Sequence, residues 1–345
     1  MSLIRTSSRL AQRRLSLKPP SLLASSSLTS PSGYHHVSGS SRRTITLASE
    51  WIVPANDDPD YIDADGNSDV FVFLHGLLGS RRNIQTLAKT LCDRMGRRGL
   101  LLDIRGHGAS QIKDKNRNSS TPTTLHDCAD DVYETLLPHA QDLEQVRWTM
   151  VGHSLGGRIS MLYALQQALH KVPSPILPQN IWLLDTVPGA LDESVRHVVN
   201  VAHRLENSSE PLPQTRNALV EALIKDEGMN VGVAQWLASS FSFKSRSFSF
   251  DLQIVREIMA DFDEAQFMEW IKAEPVPVDL VRAGANRSWE SAAGHLKELE
   301  DWHDESERKF RIHTLPNAGH WVHMDDLPGL VKIIEDVQRE LDSET

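Results

Sequence analysis

The sequence predicts an α/β protein with a mostly parallel central sheet flanked by helices. Short apolar runs recur along the chain, and longer amphipathic stretches lie between them. These runs are continuously apolar over four or five residues, as is typical of strands that helices cover on both faces. Strands that alternate with helices in this way form βαβ units. The composition, 40% hydrophobic and 24% charged, is that of a globular protein.

The predicted strands end along one edge of the sheet. In chain order they are "DVFVFLHG" (69–76), "GLLLDIRG" (99–106), "RWTMVGHS" (147–154), "NIWLLDT" (180–186), "VDLVRAG" (278–284) and "FRIHTLP" (310–316), and "TITLASEWIV" (44–53) is an opening strand or hairpin. Helices are predicted near 83–95, 124–138, 155–171 and 325–342. In open α/β sheets, ligands bind outside the carboxyl ends of the strands. The functional residues are therefore expected at those ends.

The alternation of strands and helices is interrupted once, after "NIWLLDT" and before "VDLVRAG". The intervening segment contains only helix-like stretches, and roughly ninety residues are too many for a connection in a compact domain. We therefore predict a helical cap at 188–275, between two parts of a core at 46–187 and 276–345. The phenylalanines of "SSFSFKSRSFSF" (239–250) either line a pocket or fix the cap to the core.

The charge of the chain is unevenly distributed. The net charge is −10, yet the residues before Glu50 include seven arginines and lysines and no acid. The acidic remainder should be repelled by nucleic acids and by anionic membrane surfaces. The chain has two cysteines, Cys92 and Cys128, which argues against a disulfide-stapled secreted protein. No apolar run reaches 18 residues, so no integral membrane segment is predicted.

Residues 1–45 have the composition of an organellar targeting leader. They are rich in arginine and serine and lack acidic residues. Leu3, Ile4, Leu10 and Leu15 are interspersed among the basic positions. The frequency of arginine favours the mitochondrial matrix as the destination, with a plastid as the alternative. A disordered basic tail is the other interpretation of this segment.

A candidate nucleophile lies in "MVGHSLGGRIS" (150–160). The five residues Gly152, His153, Ser154, Leu155 and Gly156 fit the pattern G-x-S-x-G between a predicted strand and a predicted helix. Gly152 and Gly156 lack the Cβ atoms that would clash in a sharp turn around a strained serine. The following helix directs its first amide N–H groups towards the serine oxygen. Ser154 is therefore the predicted nucleophile.

An oxyanion hole requires two backbone N–H groups beside the nucleophile. Leu155, directly after Ser154, supplies one of them, and Leu77, in the loop after "FLHG", supplies the other. Other polar and glycine residues at the strand ends are predicted to have structural roles. They are His75, Gly76, Asp103, Arg105, His107 and His153.

The general base is expected last in the chain, after the final strand. In "LPNAGHWVHMDDLP", His320 follows that strand, and Gly319 permits a tight loop. His313 is predicted to be a strand residue, and His323 to belong to the pocket wall or to support the base. No two histidines have the i, i+4 spacing of a helical zinc site with a glutamate, so no metal is predicted. Acyl-enzyme chemistry on a serine requires no cofactor, and none is predicted.

The acid occupies an unusual position in the sequence. Its usual place is after "VDLVRAG", where this chain has "GANRS" and no carboxylate. Asn286 in that stretch can orient an imidazole, but it cannot stabilise an imidazolium as a carboxylate does. Asp185, at the end of the preceding strand, can reach the same histidine and is the predicted acid. Glu290 and Asp103 are the alternatives.

These motifs together resemble the α/β-hydrolase superfamily, and within it the alpha/beta-hydrolase domain-containing protein 11 group of capped serine esterases. The matching stretches, between about 68 and 340, are "FLHGLLGS", "DIRGHGAS", "GHSLGG", "LLDTVPG" and "AGHWVH". The resemblance implies an α/β-hydrolase fold with a four-helix cap inserted between strands 6 and 7. It also supports an acid after strand 6, Ser154 as nucleophile and His320 as base. The serine- and phenylalanine-rich cap stretch departs from the group, so its substrate preference is not carried over.

The expected function is a serine hydrolase that cleaves small-molecule carboxylic esters or thioesters through an acyl-enzyme intermediate. One alternative is acyl transfer, or hydrolysis of another bond, on the same triad. A second is a non-enzymatic protein of this fold that binds a protein partner through the cap. The complete set of Ser154, Asp185 and His320 argues against the second alternative.

Overall fold

A seven-stranded sheet lies at the centre of the structure, a computed structural model that describes residues 44–55, 69–111, 122–169, 176–209, 211–262, 264–306 and 309–343. The strands are β1 (Ser49–Ile52), β2 (Val70–Leu74), β3 (Arg98–Leu102), β4 (Trp148–His153), β5 (Asn180–Leu184), β6 (Phe241–Ser242), β7 (Ser247–Phe248), β8 (Val278–Ala283) and β9 (Phe310–Leu315). The sheet has the order β1-β3-β2-β4-β5-β8-β9, and β6 pairs with β7 in a separate hairpin.

The helices confirm the predicted alternation with the strands. They are α1 (Arg81–Met95), α2 (Leu125–Leu136), α3 (Ala140–Gln145), α4 (Leu155–Ala168), α5 (Glu193–Asn207), α6 (Arg216–Lys225), α7 (Val231–Ser240), α8 (Leu252–Ala260), α9 (Glu264–Lys272), α10 (Ser288–Ser291), α11 (Ala293–Glu305), α12 (Val322–Asp325) and α13 (Leu327–Ser343). Every helix in the described residues is too short or too polar to cross a membrane.

The central strands pair in parallel, as their continuously apolar sequences predicted. β2 lies between β3 and β4, and Val72 is in register with Leu100 on one side and Met150 on the other. All five residues of β2 are buried. β1 is the exception, because it pairs antiparallel with β3 at the edge of the sheet. The predicted mostly parallel sheet is therefore confirmed.

Helices cover the sheet and explain the burial of its strands. Leucines of α1 and α13, such as Leu87 and Leu330, pack on Phe71, Phe73 and other strand side chains in one apolar cluster. α4 lies against β4 and β5 and also contacts α2 and α9. Most residues of α4 are buried on all sides of the helix, as expected for a helix enclosed by other elements. This packing fixes the start of α4, where the candidate nucleophile lies.

The chain between β5 and β8 forms the helical insertion that we call the cap (188–275). It contains the five helices α5 to α9, whereas the resemblance implied four, and it contains the β6–β7 hairpin, which the sequence did not predict. Strands of two residues are too short for periodicity to reveal. β5 and β8 correspond to strands 6 and 7 of the predicted fold. The exact limits of the cap stay a prediction.

The segment of the β6–β7 hairpin and the residues after it bind the loop after β3. Phe248 and Phe250 are buried, and their rings stack with centroids 4.9 Å apart. Next to them, the Gly108 N–H donates to the Ser249 carbonyl over 2.8 Å, and the Asp251 N–H donates to the Gly106 carbonyl over 2.7 Å. These contacts support the interpretation as an anchor, and Phe248 and Phe250 also line a cavity, so the interpretation as a pocket lining stays open.

Candidate active site

Ser154 occupies a strained turn between β4 and α4. Its φ of 53° and ψ of −112° lie outside the regions that residues with a side chain usually adopt. A Cβ atom on Gly152 would lie 2.5 Å from the backbone of Gly156. A Cβ atom on Gly156 would in turn lie 2.5 Å from the Leu74 carbonyl oxygen. The two glycines of the motif therefore allow the turn to fit against β2.

The backbone of Ser154 is held while its hydroxyl stays available. The Ser154 N–H donates to the Leu184 carbonyl over 3.0 Å, and the Thr186 hydroxyl donates to the Ser154 carbonyl over 3.3 Å. Within the described part of the chain, the Ser154 hydroxyl has no hydrogen-bond partner. Strain in the backbone together with a free hydroxyl is what a nucleophile elbow requires.

The predicted acid and base meet directly. The His320 Nδ1–H donates to Asp185 Oδ2 over 2.7 Å, although the two residues lie 135 positions apart in the chain. The Asp185 side chain is completely buried, whereas that of His320 is 40% exposed. A buried carboxylate that accepts from Nδ1 leaves Nε2 of the same ring as the nitrogen that can take up a proton.

The other candidates for the acid are placed elsewhere. Asn286 donates from Nδ2 to Asp185 Oδ2 over 2.6 Å, so it contacts the acid and not the base. Asp103 accepts from the Arg81 N–H over 2.7 Å at the start of α1. Glu290 is exposed, and in the described residues no hydrogen bond joins it to His320. Among the three carboxylates considered, Asp185 is the one that contacts the imidazole.

His153 connects the nucleophile turn to the loop that carries His320. Its Nε2–H donates to the His320 carbonyl over 2.9 Å, and the two rings lie 4.8 Å apart between centroids. Because His153 directly precedes Ser154, this contact brings the candidate base close to the candidate nucleophile. No hydrogen bond joins the Ser154 hydroxyl to His320 in the described residues. Such bonds are often long in ligand-free active sites and shorten when the substrate binds.

The two predicted oxyanion donors belong to segments that adjoin Ser154. A Cβ atom on Gly76 would lie 2.8 Å from the His153 ring and 3.4 Å from the Ser154 Cβ, so the loop before Leu77 touches the nucleophile turn. Leu155 is the first residue of α4, where amide N–H groups have no partner within the helix. In the described chain, neither the Leu77 nor the Leu155 N–H forms a hydrogen bond.

His75 and His107 hold the loop that contains Leu77. The His75 Nδ1–H donates to the Gly76 carbonyl over 2.8 Å, and its Nε2 accepts from the Ile104 N–H over 3.0 Å. His107 Nε2 accepts from the Leu78 N–H over 3.1 Å. Each ring thus uses one nitrogen as an acceptor, which requires the neutral imidazole. The contacts support the structural roles that the sequence predicted for them.

Arg105 and Asp103 anchor the loop after β3 to the surrounding helices. Arg105 forms a bidentate ion pair with the buried Asp131 of α2, with two N–O distances of 2.6 Å. Asp103 accepts from the Ala109 N–H over 2.9 Å and from the Arg81 guanidinium over 2.8 Å. These contacts support the predicted structural roles of both residues.

Buried histidines make stability depend on pH. Desolvation by burial lowers the pKa of His75 to about 3, those of His107 and His323 to about 4, and that of His153 well below its usual 6.5. The unfolded chain binds protons that the native state excludes. The contribution of these histidines to the free energy of unfolding should therefore be constant well above pH 6.5 and fall as the pH drops towards 4. The slope is at most about 1.4 kcal/mol per pH unit for each histidine.

Urea unfolding between pH 5 and 7 measures this slope. His107→Asn, which retains a side-chain N–H, should flatten it, because one of the neutral imidazoles is gone. His203→Asn, at an exposed cap position, is the matched control and should leave the slope unchanged. If His107→Asn keeps the wild-type slope, protonation of this buried ring does not contribute to the loss of stability.

Two residues near the site were not predicted from the sequence. Trp289 donates from its indole Nε1–H to Asp185 Oδ1 over 2.7 Å. The buried Arg158 of α4 donates to the carbonyls of Val187 and Gly189, over 2.8 and 2.7 Å, in the loop that follows Asp185. No local motif indicates either contact. The sequence gives little indication of either role, because a tryptophan or an arginine in a helix can equally serve in core packing or in a surface ion pair.

The cap reaches the candidate site from two directions. Leu78 is buried in the apolar cluster of the cap, and Leu77 packs against the same cluster. On the other side, Trp236 of α7 lies 5.7 Å from Trp321, between ring centroids, directly after His320 in the chain. The cap therefore contacts both the loop with the predicted oxyanion donor and the loop with the predicted base.

The sheet order and the sharp turn at Ser154 after β4 are those of an α/β-hydrolase fold. A family model described as alpha/beta hydrolase fold matches residues 69–214. The chain has the α/β-hydrolase fold and is similar to the sn-1-specific diacylglycerol lipase ABHD11. The Mus musculus protein is 28% identical over 269 residues, which cover 76% of this chain and 79% of that protein. Esterase YbfF of Escherichia coli is 27% identical over 271 residues, which cover 78% and 92%.

Solved structures agree on the fold. The peroxisomal alpha-beta-hydrolase Lpx1 of Saccharomyces cerevisiae superposes with a TM-score of 0.61 at 13% identity, over 86% of this chain and 81% of that one. E-2-(acetamidomethylene)succinate hydrolase superposes with a TM-score of 0.55 at 20% identity, over 78% and 91%. At such identities the likeness concerns the fold alone.

Proposed function

We propose that this protein is a serine hydrolase that cleaves carboxylic esters or thioesters through an acyl-enzyme intermediate. Cleavage of ester bonds is the activity that the names of its relatives, lipase and esterase, support. The observation that carries the finer proposal is the 2.7 Å hydrogen bond from His320 to the buried Asp185, beside the strained turn of Ser154. Ser154, His320 and Asp185 are the proposed nucleophile, base and acid.

In the proposed reaction, His320 Nε2 takes the proton of the Ser154 hydroxyl as its oxygen attacks the substrate carbonyl. The Asp185 carboxylate keeps the imidazole in the correct tautomer and stabilises the imidazolium. His320 then donates the proton to the leaving alcohol or thiol. Water, deprotonated by the same imidazole, attacks the acyl-enzyme and releases the carboxylic acid, which returns Ser154 to its starting state.

The oxyanion of each tetrahedral intermediate is proposed to accept hydrogen bonds from the N–H groups of Leu77 and Leu155. A donor of this kind contributes roughly 3–4 kcal/mol to transition-state stabilisation. Support comes from the contact of Gly76 with the nucleophile turn and from the position of Leu155 at the start of α4. No cofactor enters this mechanism. Within the described residues, no group of three or more His, Cys, Asp or Glu could hold a metal ion.

The proposed substrate is a small molecule with an apolar acyl group. The side of the site near Leu77 and Leu78 is apolar, because both leucines pack with side chains of the cap. An anionic polymer such as a nucleic acid is not proposed, since the net charge of the chain is −10. The mitochondrial matrix stays a proposed location with a plastid as the alternative, and residues 1–43 of the predicted leader lie outside the described residues.

A fluorophosphonate probe and a substrate series test this function. The probe should label the native protein and fail to label the heat-denatured one. Turnover should then be measured on matched acyl esters and acyl thioesters of increasing chain length, with and without an alcohol acceptor. Hydrolysis of at least one series supports the proposal. Transfer to the alcohol without hydrolysis would indicate an acyltransferase, and a folded protein inert to both probe and substrates would favour a partner-binding role through the cap.

A further inference from the structure

The Asp185 carboxylate is surrounded by hydrogen-bond donors. Oδ2 accepts from His320 over 2.7 Å and from Asn286 over 2.6 Å. Oδ1 accepts from the Ala283 backbone N–H over 2.9 Å and from the Trp289 indole N–H over 2.7 Å. Four donors satisfy a completely buried anion, whose negative charge would otherwise be costly to remove from water.

Two of these donors, Asn286 and Trp289, follow β8, where the stretch "GANRS" has no carboxylate, and a third, Ala283, is the last residue of β8. Asp185 follows β5, and its N–H donates to the Val281 carbonyl of β8 over 2.8 Å. This pairing places the carboxylate beside the residues that follow β8. The short helix α10, whose Trp289 N–H donates to the Asn286 carbonyl over 3.2 Å, then directs the indole to Oδ1.

Trp289 is suited to fix the orientation of the carboxylate. Its side chain is 4% exposed, so the ring cannot rotate without disturbing the packing around it. An indole has one N–H in a rigid plane, unlike an amide, which can turn about its terminal bond. With Oδ1 held by Trp289 and the Ala283 N–H, Oδ2 is the oxygen that faces His320.

We propose that Trp289 is a positioning residue of the active site, which acts on the base through the carboxylate. Its indole N–H fixes the rotation of the Asp185 carboxylate and takes up part of its negative charge. The imidazole of His320 is thereby held at one angle towards Ser154. The effect on the reaction rests on the proposed function, whereas the effect on the hydrogen bond between His320 and Asp185 does not.

The variant Trp289→Phe tests this role, because it keeps an aromatic ring and removes the N–H. Trp302→Phe is the matched control, since Trp302 lies in the adjacent α11 and its indole nitrogen has no hydrogen-bond partner in the described residues. We expect kcat of Trp289→Phe to fall about tenfold with KM within twofold, as for the loss of a hydrogen bond to a charged group.

A measurement without substrate separates this proposal from the proposed function. The low-field proton resonance of the His320–Asp185 hydrogen bond should shift in Trp289→Phe and stay in place in Trp302→Phe. An unshifted resonance in folded Trp289→Phe would overturn the proposal, whether or not the protein hydrolyses esters.

Should Trp289→Phe fail to fold, the wild-type protein provides the same test. With ¹⁵N-labelled tryptophan, the indole proton of Trp289 should move as His320 is protonated, since both rings share one carboxylate. If the chemical shift of the Trp289 indole proton does not change during this titration, the proposed role is wrong.

Discussion

The Ser154→Ala variant is expected to lose ester turnover by a factor on the order of 10⁵–10⁶, as when other serine hydrolases lose their nucleophile. The physical reason is that the acyl-enzyme cannot form without the hydroxyl. Stability should stay within about 1 kcal/mol of the wild type, because the Ser154 hydroxyl has no partner in the described residues. Steady-state hydrolysis and urea unfolding, measured on the same preparation, check both parts.

Ser160→Ala provides the matched control for this variant. Ser160 is buried in α4, the helix that directly follows Ser154, and its hydroxyl donates to the Gly156 carbonyl of the same helix over 2.7 Å. Its loss should change stability slightly and leave turnover close to that of the wild type. Wild-type turnover in Ser154→Ala would mean that another group attacks the substrate, and the proposed mechanism would be wrong.

The second large effect is expected for Asp185→Asn. An amide at this position cannot stabilise the imidazolium, and its NH₂ group would face donors where the carboxylate offers acceptors. We expect kcat to fall by about 10⁴. We also expect a loss of roughly 1–3 kcal/mol in the free energy of unfolding, because a buried donor is left without a partner.

Glu290→Gln distinguishes the two carboxylates that the sequence offered on this side of the site. Glu290 is exposed, so its neutralisation should leave both kcat and stability unchanged. Hydrolysis assays of the two variants at the wild-type pH optimum give the comparison. The acid would have to be reassigned if Glu290→Gln were the inactive variant and Asp185→Asn the active one.

The turn at Ser154 and the loop with His320 could be predicted because each depends on residues that are consecutive in the sequence. The turn at Ser154 requires Gly152 and Gly156, whose absent side chains leave room for the backbone of neighbouring elements. The loop with His320 follows the last predicted strand, "FRIHTLP", and contains Gly319. Short apolar runs likewise predicted the six parallel strands of the sheet, since strands covered on both faces are mostly apolar.

The contacts of Asn286 show where prediction ended. Its place after β8 indicated a group near the imidazole, but the structure places its amide on the carboxylate. Whether Asn286 contacts the imidazole of His320 or the carboxylate of Asp185 depends on how far the loop after β8 extends and on which side chains pack around it. Trp289 was not recognised for the same reason. The β6–β7 hairpin was missed because two residues are too few to show a strand period.

The sequence by itself determined the class of fold, the position of the nucleophile turn and the identity of the last histidine, because short-range sterics and apolar burial dictate these features. Only the tertiary structure decided which donors surround Asp185 and where the cap touches the core. Asp185 is separated from its four donors by 98 to 135 residues. Their meeting depends on the pairing of β5 with β8, and no local segment encodes that register.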